Sequence, residues 1–261
     1  MGGYGILSAY YDRLMADAGY VQRAEYLLRL LSMHAGRTPG IMLDLACGSG
    51  SLTLELAQRG VDMIGVDSSG DMLALAAEKA ASRALRVLWL EQDMRELDLY
   101  GTVECAVCTL DSLNHLLRTS ELETVFRRLS LFVEPGGWLI FDVNTPYKHS
   151  KVLAENAFVF EEPDFLCVWR NHFLRRTCEV DMLLDFFVPS GGNGYRRLTD
   201  TVRERAYTRK TWENCLRQAG FYTAAVYEDM ETCDPSPKCE RWVFIAQNRG
   251  PRDENGGKQN G

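Results

Sequence analysis

Leu43-Asp44-Leu45-Ala46-Cys47-Gly48-Ser49-Gly50 is the stretch whose reading decides the fold. It closes a short apolar run, Ile41–Cys47, and is followed by Leu52–Arg59, whose apolar residues fall at helical spacing before Gly60 stops them. A strand therefore delivers the chain into a turn where Gly48 and Gly50 carry no side chain, so a ligand can come close to the backbone. The helix behind that turn presents free amides at its N-terminus. Taken alone, the strand–turn–helix marks a nucleotide-like ligand without saying which one.

Working outward, the alternation continues. Asp62–Asp67 reads as a strand and Asp71–Ser82 as an Ala/Leu-rich helix. Val87–Asp93 and Val103–Leu110 read as two more strands. Ser120–Phe132 is an amphipathic helix stopped by Pro135-Gly136-Gly137, and Trp138–Val143 is a fifth strand. Continuous apolar strands separated by amphipathic helices predict an α/β fold, a parallel sheet covered on both faces. Ahead of the motif, Ser8 is placed to cap a helix carrying Tyr10, Tyr11, Leu14 and Met15 on one face. Gly19 separates it from a second helix with the stripe Ala24, Leu27, Leu28 and Leu31, and Gly36 and Pro39-Gly40 close the helical region.

After Asn144 the texture changes. Phe158–Phe160, Phe165–Phe173, Val180–Val188 and Leu198–Tyr207 are aromatic and β-branched runs with no helix between them, and Gly191-Gly192-Asn193-Gly194 supplies a turn. We expect an antiparallel β insertion over residues 157–207, between strand five and the last helix. Thr208 is an N-cap for the helix Arg209–Ala219, and Phe221–Met230 and Arg241–Gln247 are the last two strands. The expected organisation is one domain formed by 1–156 and 208–249, the insertion acting as a lid, and a polar, disordered tail over 250–261.

Charge and cysteine usage narrow the function. The chain of 261 residues carries a net charge of −7, with 13 Lys/Arg against 19 Asp/Glu in residues 1–150 and 11 against 10 in 151–217. The broad basic face expected of a phosphate-tracking protein is missing, so nucleic acid is not the expected partner. The Arg pairs at 175–176 and 196–197 read as solvated strand faces. No apolar run reaches the ~20 residues of a membrane span. The first residues lack a basic flank and apolar core, so the cytosol is the expected compartment. Eight cysteines are scattered, and Cys105-x-x-Cys108 lies within an apolar strand, which suits buried thiols better than a metal or redox pair. No metal is expected.

Two acidic strand ends add chemistry. Asp67 closes Gly65-Val66-Asp67, 17 residues after Gly50, where a carboxylate can accept from both hydroxyls of a ribose. The competing role is a helix cap, for which Asp67 or Ser69 would serve. Asp93, with Met94, closes strand three. There a carboxylate can accept from an exocyclic amine while the adjacent amide donates to a ring nitrogen, which together distinguish adenine; the bland alternative is a surface Asp.

The chain resembles the class I S-adenosylmethionine-dependent methyltransferases over nearly its whole length. The resemblance rests on Leu43–Gly50, Gly65–Ser69 with Asp71-Met72-Leu73, Asp93-Met94-Arg95, Leu110-Asp111-Ser112-Leu113-Asn114 and Pro135-Gly136-Gly137. Tyr10-Tyr11-Asp12-Arg13-Leu14-Met15 and Phe141-Asp142-Val143-Asn144-Thr145-Pro146 are similar to a bacterial subgroup that includes amino-sugar N-methyltransferases. What it implies is a Rossmann-like, seven-stranded, mostly parallel sheet and S-adenosyl-L-methionine as methyl donor, with S-adenosyl-L-homocysteine as product. Carried over residue by residue, Asp44, Ala46, Cys47, Gly48 and Gly50 would hold the methionine part. Asp67 and Ser68 would take the ribose, Met72, Asp93 and Met94 the adenine, and Leu110 and Asp111 the methionine side. Ala46 stands where glycine is frequent. A dinucleotide fingerprint would need a third glycine where Thr53 stands.

The donor is better specified than the acceptor, because transfer from a sulfonium needs alignment and water exclusion more than a fixed catalytic set. We expect a small-molecule N or O acceptor; the alternatives are an RNA or protein acceptor and a non-catalytic, cofactor-binding regulator. His115, just after strand four, is the candidate base, and its other reading is packing or capping. His149 and His172 are expected on the rim and the insertion. Tyr11 is a second catalytic candidate. Tyr10, Tyr11, Tyr147, Trp169 and Phe173 could shield the acceptor, with Tyr10, Tyr147 and Trp169 as its contacts, whereas Phe186 and Phe187 read as core.

Overall fold

In a computed structural model of the chain, residues 7–192 and 194–250 are described. The expected tail, apart from Gly250, and the first residues lie outside them. Helices α1 (Leu7–Leu14) and α2 (Tyr20–Ala35) are separated at Gly19, whose φ of 62° is the left-handed value the break requires. Ser8 lies within helix α1 rather than at its cap.

The alternating segment is β1 (Ile41–Leu45), α3 (Ser51–Gln58), β2 (Asp62–Asp67), α4 (Gly70–Ser82), β3 (Leu88–Glu91), β4 (Val103–Cys108), α5 (Thr119–Phe132) and β5 (Val133–Asn144). Strand β5 starts earlier than Trp138. The strand runs irregularly through Pro135-Gly136-Gly137, with a register shift opposite β4 and Gly136 at a φ of 87°. The insertion is β6 (Ala157–Glu162), β7 (Phe165–Leu174), β8 (Glu179–Pro189) and β9 (Tyr195–Arg205). Then come α6 (Arg209–Gln218), β10 (Phe221–Glu228) and β11 (Arg241–Asn248). Thr208 caps α6, its hydroxyl accepting from the Thr211 amide at 3.2 Å.

The main sheet has seven strands in the order β10-β11-β5-β4-β1-β2-β3. All pairs from β5 to β3 are parallel, and β11 runs against both its neighbours. Alternation sorts the faces. Met42, Met63, Val107 and Ile140 pack with Leu27, Leu31, Leu52 and Leu56 of α2 and α3. Leu43, Leu45, Leu139 and Phe141 pack with Phe126, Leu129, Trp212 and Leu216 of α5 and α6. Cys105 and Cys108 are buried free thiols within these layers.

The insertion forms its own antiparallel sheet, β6-β7-β8-β9. Its inner face buries Phe165, Cys167, Val180, Met182, Leu184 and Phe186, and Tyr10, Tyr11 and Leu14 of α1 pack on it. Its outer face is charged. There Asp185 accepts from Arg170, Arg197 and Thr199, and despite burial these partners hold its carboxyl down to about 2. No helix among the described residues is long and apolar enough to cross a membrane.

Candidate active site

Strand order reverses at β1, which has β2 on one side and β4 on the other, and ligands of open α/β sheets bind outside the C-terminal ends of such strands. A cavity of about 270 Å³ opens there. Its floor is Ala46, Gly48, Asp67, Ser68, Met72, Met94, Leu110 and Asp111, and its roof is Trp169, Phe160, Leu184 and Glu204 of the insertion with Tyr11 of α1. A recess of about 30 Å³ beside it is lined by Asp44, Cys47, Ser49, Tyr20 and Thr109.

The two glycines of the turn do different work. A Cβ on Gly50 would lie 2.6 Å from the Trp89 ring and 2.8 Å from Ala76, so Gly50 permits packing behind the turn. A Cβ on Gly48 would meet only the Tyr11 ring, at 4.0 Å, so Gly48 leaves the backbone open on the cavity side. Asp67 accepts from the Gly48 amide at 2.8 Å and from the Ser69 amide at 2.9 Å. Burial raises its pKa, and those backbone bonds work against the shift. With the Ser68 amide as a third backbone donor, one of the carboxylate's four lone pairs is left for a further donor. The helix-cap role belongs to Ser69, whose hydroxyl accepts from the Met72 amide at 3.3 Å.

Asp44 is buried and accepts from the Thr53 hydroxyl at 2.5 Å; burial pushes its pKa up to about 7. Cys47 shares the recess, and burial drives its thiol upward, away from nucleophilic chemistry. Asp12 of α1 receives the hydroxyl of Ser49 and the ammonium of Lys79 at 2.8 Å, which ties α1 to the turn. Arg13 reaches Asp164 of the insertion at 2.8 Å, so one helix joins floor to roof.

Leu110 and Asp111 have φ of 55° and 56°, a costly conformation for residues other than glycine. Asp142 over-determines it by accepting from both their amides, at 2.9 and 2.8 Å. Asp142 is itself buried between Arg23, at 3.3 Å, and Arg241. Arg241 also meets Asp111 at 2.8 Å. Burial works to raise the Asp111 pKa, but Arg241 and Lys148 outweigh it and hold the carboxyl far below the usual range.

On the insertion side of the cavity the structure adds a residue that sequence reasoning missed. Glu204 of β9 is 4% exposed and lines the cavity. Its Oε2 accepts from Asn144 Nδ2 at 2.9 Å and lies 3.4 Å from His149 Nε2, while Oε1 lies 4.0 Å from His115 Nε2. The period-2 signal Leu198-x-Asp200-x-Val202-x-Glu204 would have found it, since alternate residues share a strand face. His149 is not on the rim. A π-helical turn over Lys148–Leu153 carries it inward, fully buried, with Nδ1 3.2 Å from the Cys178 carbonyl.

His115, Tyr11 and Trp169 therefore meet at one cavity. Tyr10 and Tyr147 are not on its wall: Tyr10 stacks on Phe186 with centroids 5.0 Å apart, and Tyr147 begins the π-helical turn. Phe173 and His172 also lie away from it, His172 against Glu155. Met94 reaches the wall, but the Asp93 carboxylate is taken up by Arg95, through its amide at 2.8 Å and its guanidinium, which also hold its pKa down.

A family profile described as a methyltransferase domain matches residues 42–137. The chain is 31% identical over 245 residues to the "Putative methyltransferase YqeM" of Bacillus subtilis (strain 168), covering 94% of this chain and 96% of that one. It belongs to the S-adenosylmethionine-dependent methyltransferases. A solved S-adenosylmethionine-dependent methyltransferase from Clostridium acetobutylicum ATCC 824 superposes with a TM-score of 0.83 at 28% identity, over 93% of this chain and 97% of that one. The dTDP-3-amino-3,6-dideoxy-alpha-D-glucopyranose N,N-dimethyltransferase of Streptomyces fradiae is 28% identical over 222 residues, 83% of this chain and 84% of that one. The cavity of this methyltransferase fits its donor in kind. It offers the half-buried Asp67 carboxylate, the thioether side chains of Met72 and Met94, and backbone left open at Gly48.

Proposed function

We propose that this methyltransferase acts on the nitrogen of a small molecule held between the main sheet and the inner face of the insertion sheet. The observation that carries the reading is the shared cavity: apolar insertion residues close over the same space that Asp67 and Gly48 line from below. The similarity to a sugar N,N-dimethyltransferase supports nitrogen over oxygen. Two arginines of the insertion's outer face, Arg170 and Arg197, are spent on Asp185, which speaks against nucleic acid.

In this reading Asp67 and Ser68 hold the ribose, Met72 and Met94 the adenine, and Ala46, Gly48 and the Leu110–Asp111 turn the methionine end; Asp44 and Cys47 line the recess beyond. The bound donor supplies a methyl group on a sulfonium, an electrophile that needs no further activation. The protein's share is to align the acceptor, exclude water under the 157–207 lid and remove a proton. His115 is the base, and Tyr11 and Trp169 wall the acceptor.

The test is methyl-labelled S-adenosylmethionine incubated with a panel of amines and the matching alcohols, read by mass spectrometry. We expect labelled N-methyl product. Replacing residues 157–207 by a short linker should spare S-adenosylhomocysteine binding and abolish turnover. Methylation of alcohols alone, or normal turnover by the shortened folded protein, contradicts the reading.

A further inference from the structure

Nothing in the donor chemistry requires a buried carboxylate in the roof of the cavity, yet Glu204 is there at 4% exposure. Its two oxygens are inequivalent. Oε2 accepts from Asn144 at 2.9 Å and lies 3.4 Å from His149 Nε2, both behind the wall. Oε1 is on the His115 side, 4.0 Å from Nε2. Asn144 also donates to Asp111 at 2.7 Å and receives Lys148 at 2.9 Å, so the carboxylate is fixed to the main sheet although it sits on an insertion strand.

The surroundings are as telling. Trp169 lies across the ladder from Leu184, and Met182 from Val202, and these four with Phe160 make an apolar wall beside Glu204. No lysine or arginine lines the cavity among the described residues. Arg241 and Lys148 stand behind it, engaged with Asp111 and Asn144. A phosphate inside would find no cation, whereas an ammonium would find a fixed carboxylate oxygen. Charge-assisted hydrogen bonds in water-poor sites are the strong ones.

Resting on the N-methylation reading above, we propose that Glu204 anchors the acceptor's ammonium, and that the acceptor is a primary or secondary amine on an apolar body without phosphate. Held at Oε1, the ammonium is within reach of His115, which takes one N–H proton. The freed nitrogen lone pair forms the new bond to the methyl carbon, and the carbon–sulfur electron pair stays on sulfur. The His115 imidazolium then faces Glu204, which offsets its charge.

The experiment is calorimetry on the full chain saturated with S-adenosylhomocysteine, titrated with 2-phenylethylamine, 2-phenylethanol, 3-phenylpropionate and O-phosphoethanolamine. The amine should bind at least tenfold more tightly than the alcohol, and the two anionic probes should not bind. In Glu204→Gln, with melting temperature and S-adenosylhomocysteine affinity held, the amine's advantage should fall to about twofold or less. An alcohol or anion binding as well as the amine in the unaltered protein overturns the proposal, even if the variant cannot be folded. So does an undiminished amine preference in folded Glu204→Gln. Amines methylated with that preference undiminished sink the anchor and leave N-methylation standing. Glu204-dependent amine binding without methylation of any amine sinks the N-methylation reading, and with it this proposal.

Discussion

Asp142→Asn should be the most damaging conservative change near the site. The carboxylate is 1% exposed and accepts from four groups: the Leu110 and Asp111 amides at 2.9 and 2.8 Å, Arg23 at 3.3 Å, and Arg241. An asparagine supplies one oxygen and turns an NH₂ group toward an N–H donor. Two buried guanidinium groups also lose part of their countercharge. Arg23 keeps Asp229 at 3.0 Å and Arg241 keeps Asp111 at 2.8 Å, so the cost should fall near the lower end of the ~3–5 kcal/mol for breaking a buried pair. At ~3 kcal/mol, and ~2–4 °C per kcal/mol for a domain of this size, the melting temperature should drop by ~6–12 °C. S-adenosylhomocysteine should bind more weakly as well, because the left-handed Leu110–Asp111 turn on the cavity wall loses its clamp. Thermal melts with and without ligand read both effects. A melting temperature within a degree or two of the unaltered protein, with affinity unchanged, would refute the clamp.

Three further outcomes follow from the site. Asp67→Ala should weaken S-adenosylhomocysteine binding by ~2 kcal/mol or more, the scale of hydrogen bonds to a charged acceptor; unchanged affinity by calorimetry removes Asp67 from the ribose site. His115→Asn should lower kcat by ~10²-fold with cofactor affinity intact; an unaltered kcat ends its role as base. Asp44, whose pKa burial raises from 3.8 to about 7, binds its proton more tightly when folded than when unfolded. The stability it contributes is therefore complete below pH ~4 and lost as pH rises toward ~7, where the native chain must bury a charge. Asp44→Asn should remove that slope, so its melting temperature should gain on the unaltered protein across this window; parallel pH curves would contradict it.

The main sheet was legible because its signals are local. Apolar strands ended by Gly48 or Asp67, and a left-handed break at Gly19, depend on few neighbours. Even so, Pro135-Gly136-Gly137 resembles a stop in the sequence, while the ladder carries it as an irregular start to strand five. The acceptor side was less legible because burial there is decided by distant packing. Within the Leu198–Tyr207 run, Arg203 points out to Asp181 whereas Glu204 points in, toward Asn144. Likewise Asp142, inside an apolar strand, signals a buried partner, but only the fold brings Arg23 and Arg241 to it.

A crystal structure of the full chain with S-adenosylhomocysteine tests the central claim most directly. We expect the ribose hydroxyls on Asp67, the adenine against Met72 and Met94, and the sulfur facing the space between His115, Glu204 and Trp169. A ligand bound outside this cavity, or a sulfur turned away from the insertion sheet, would contradict the account.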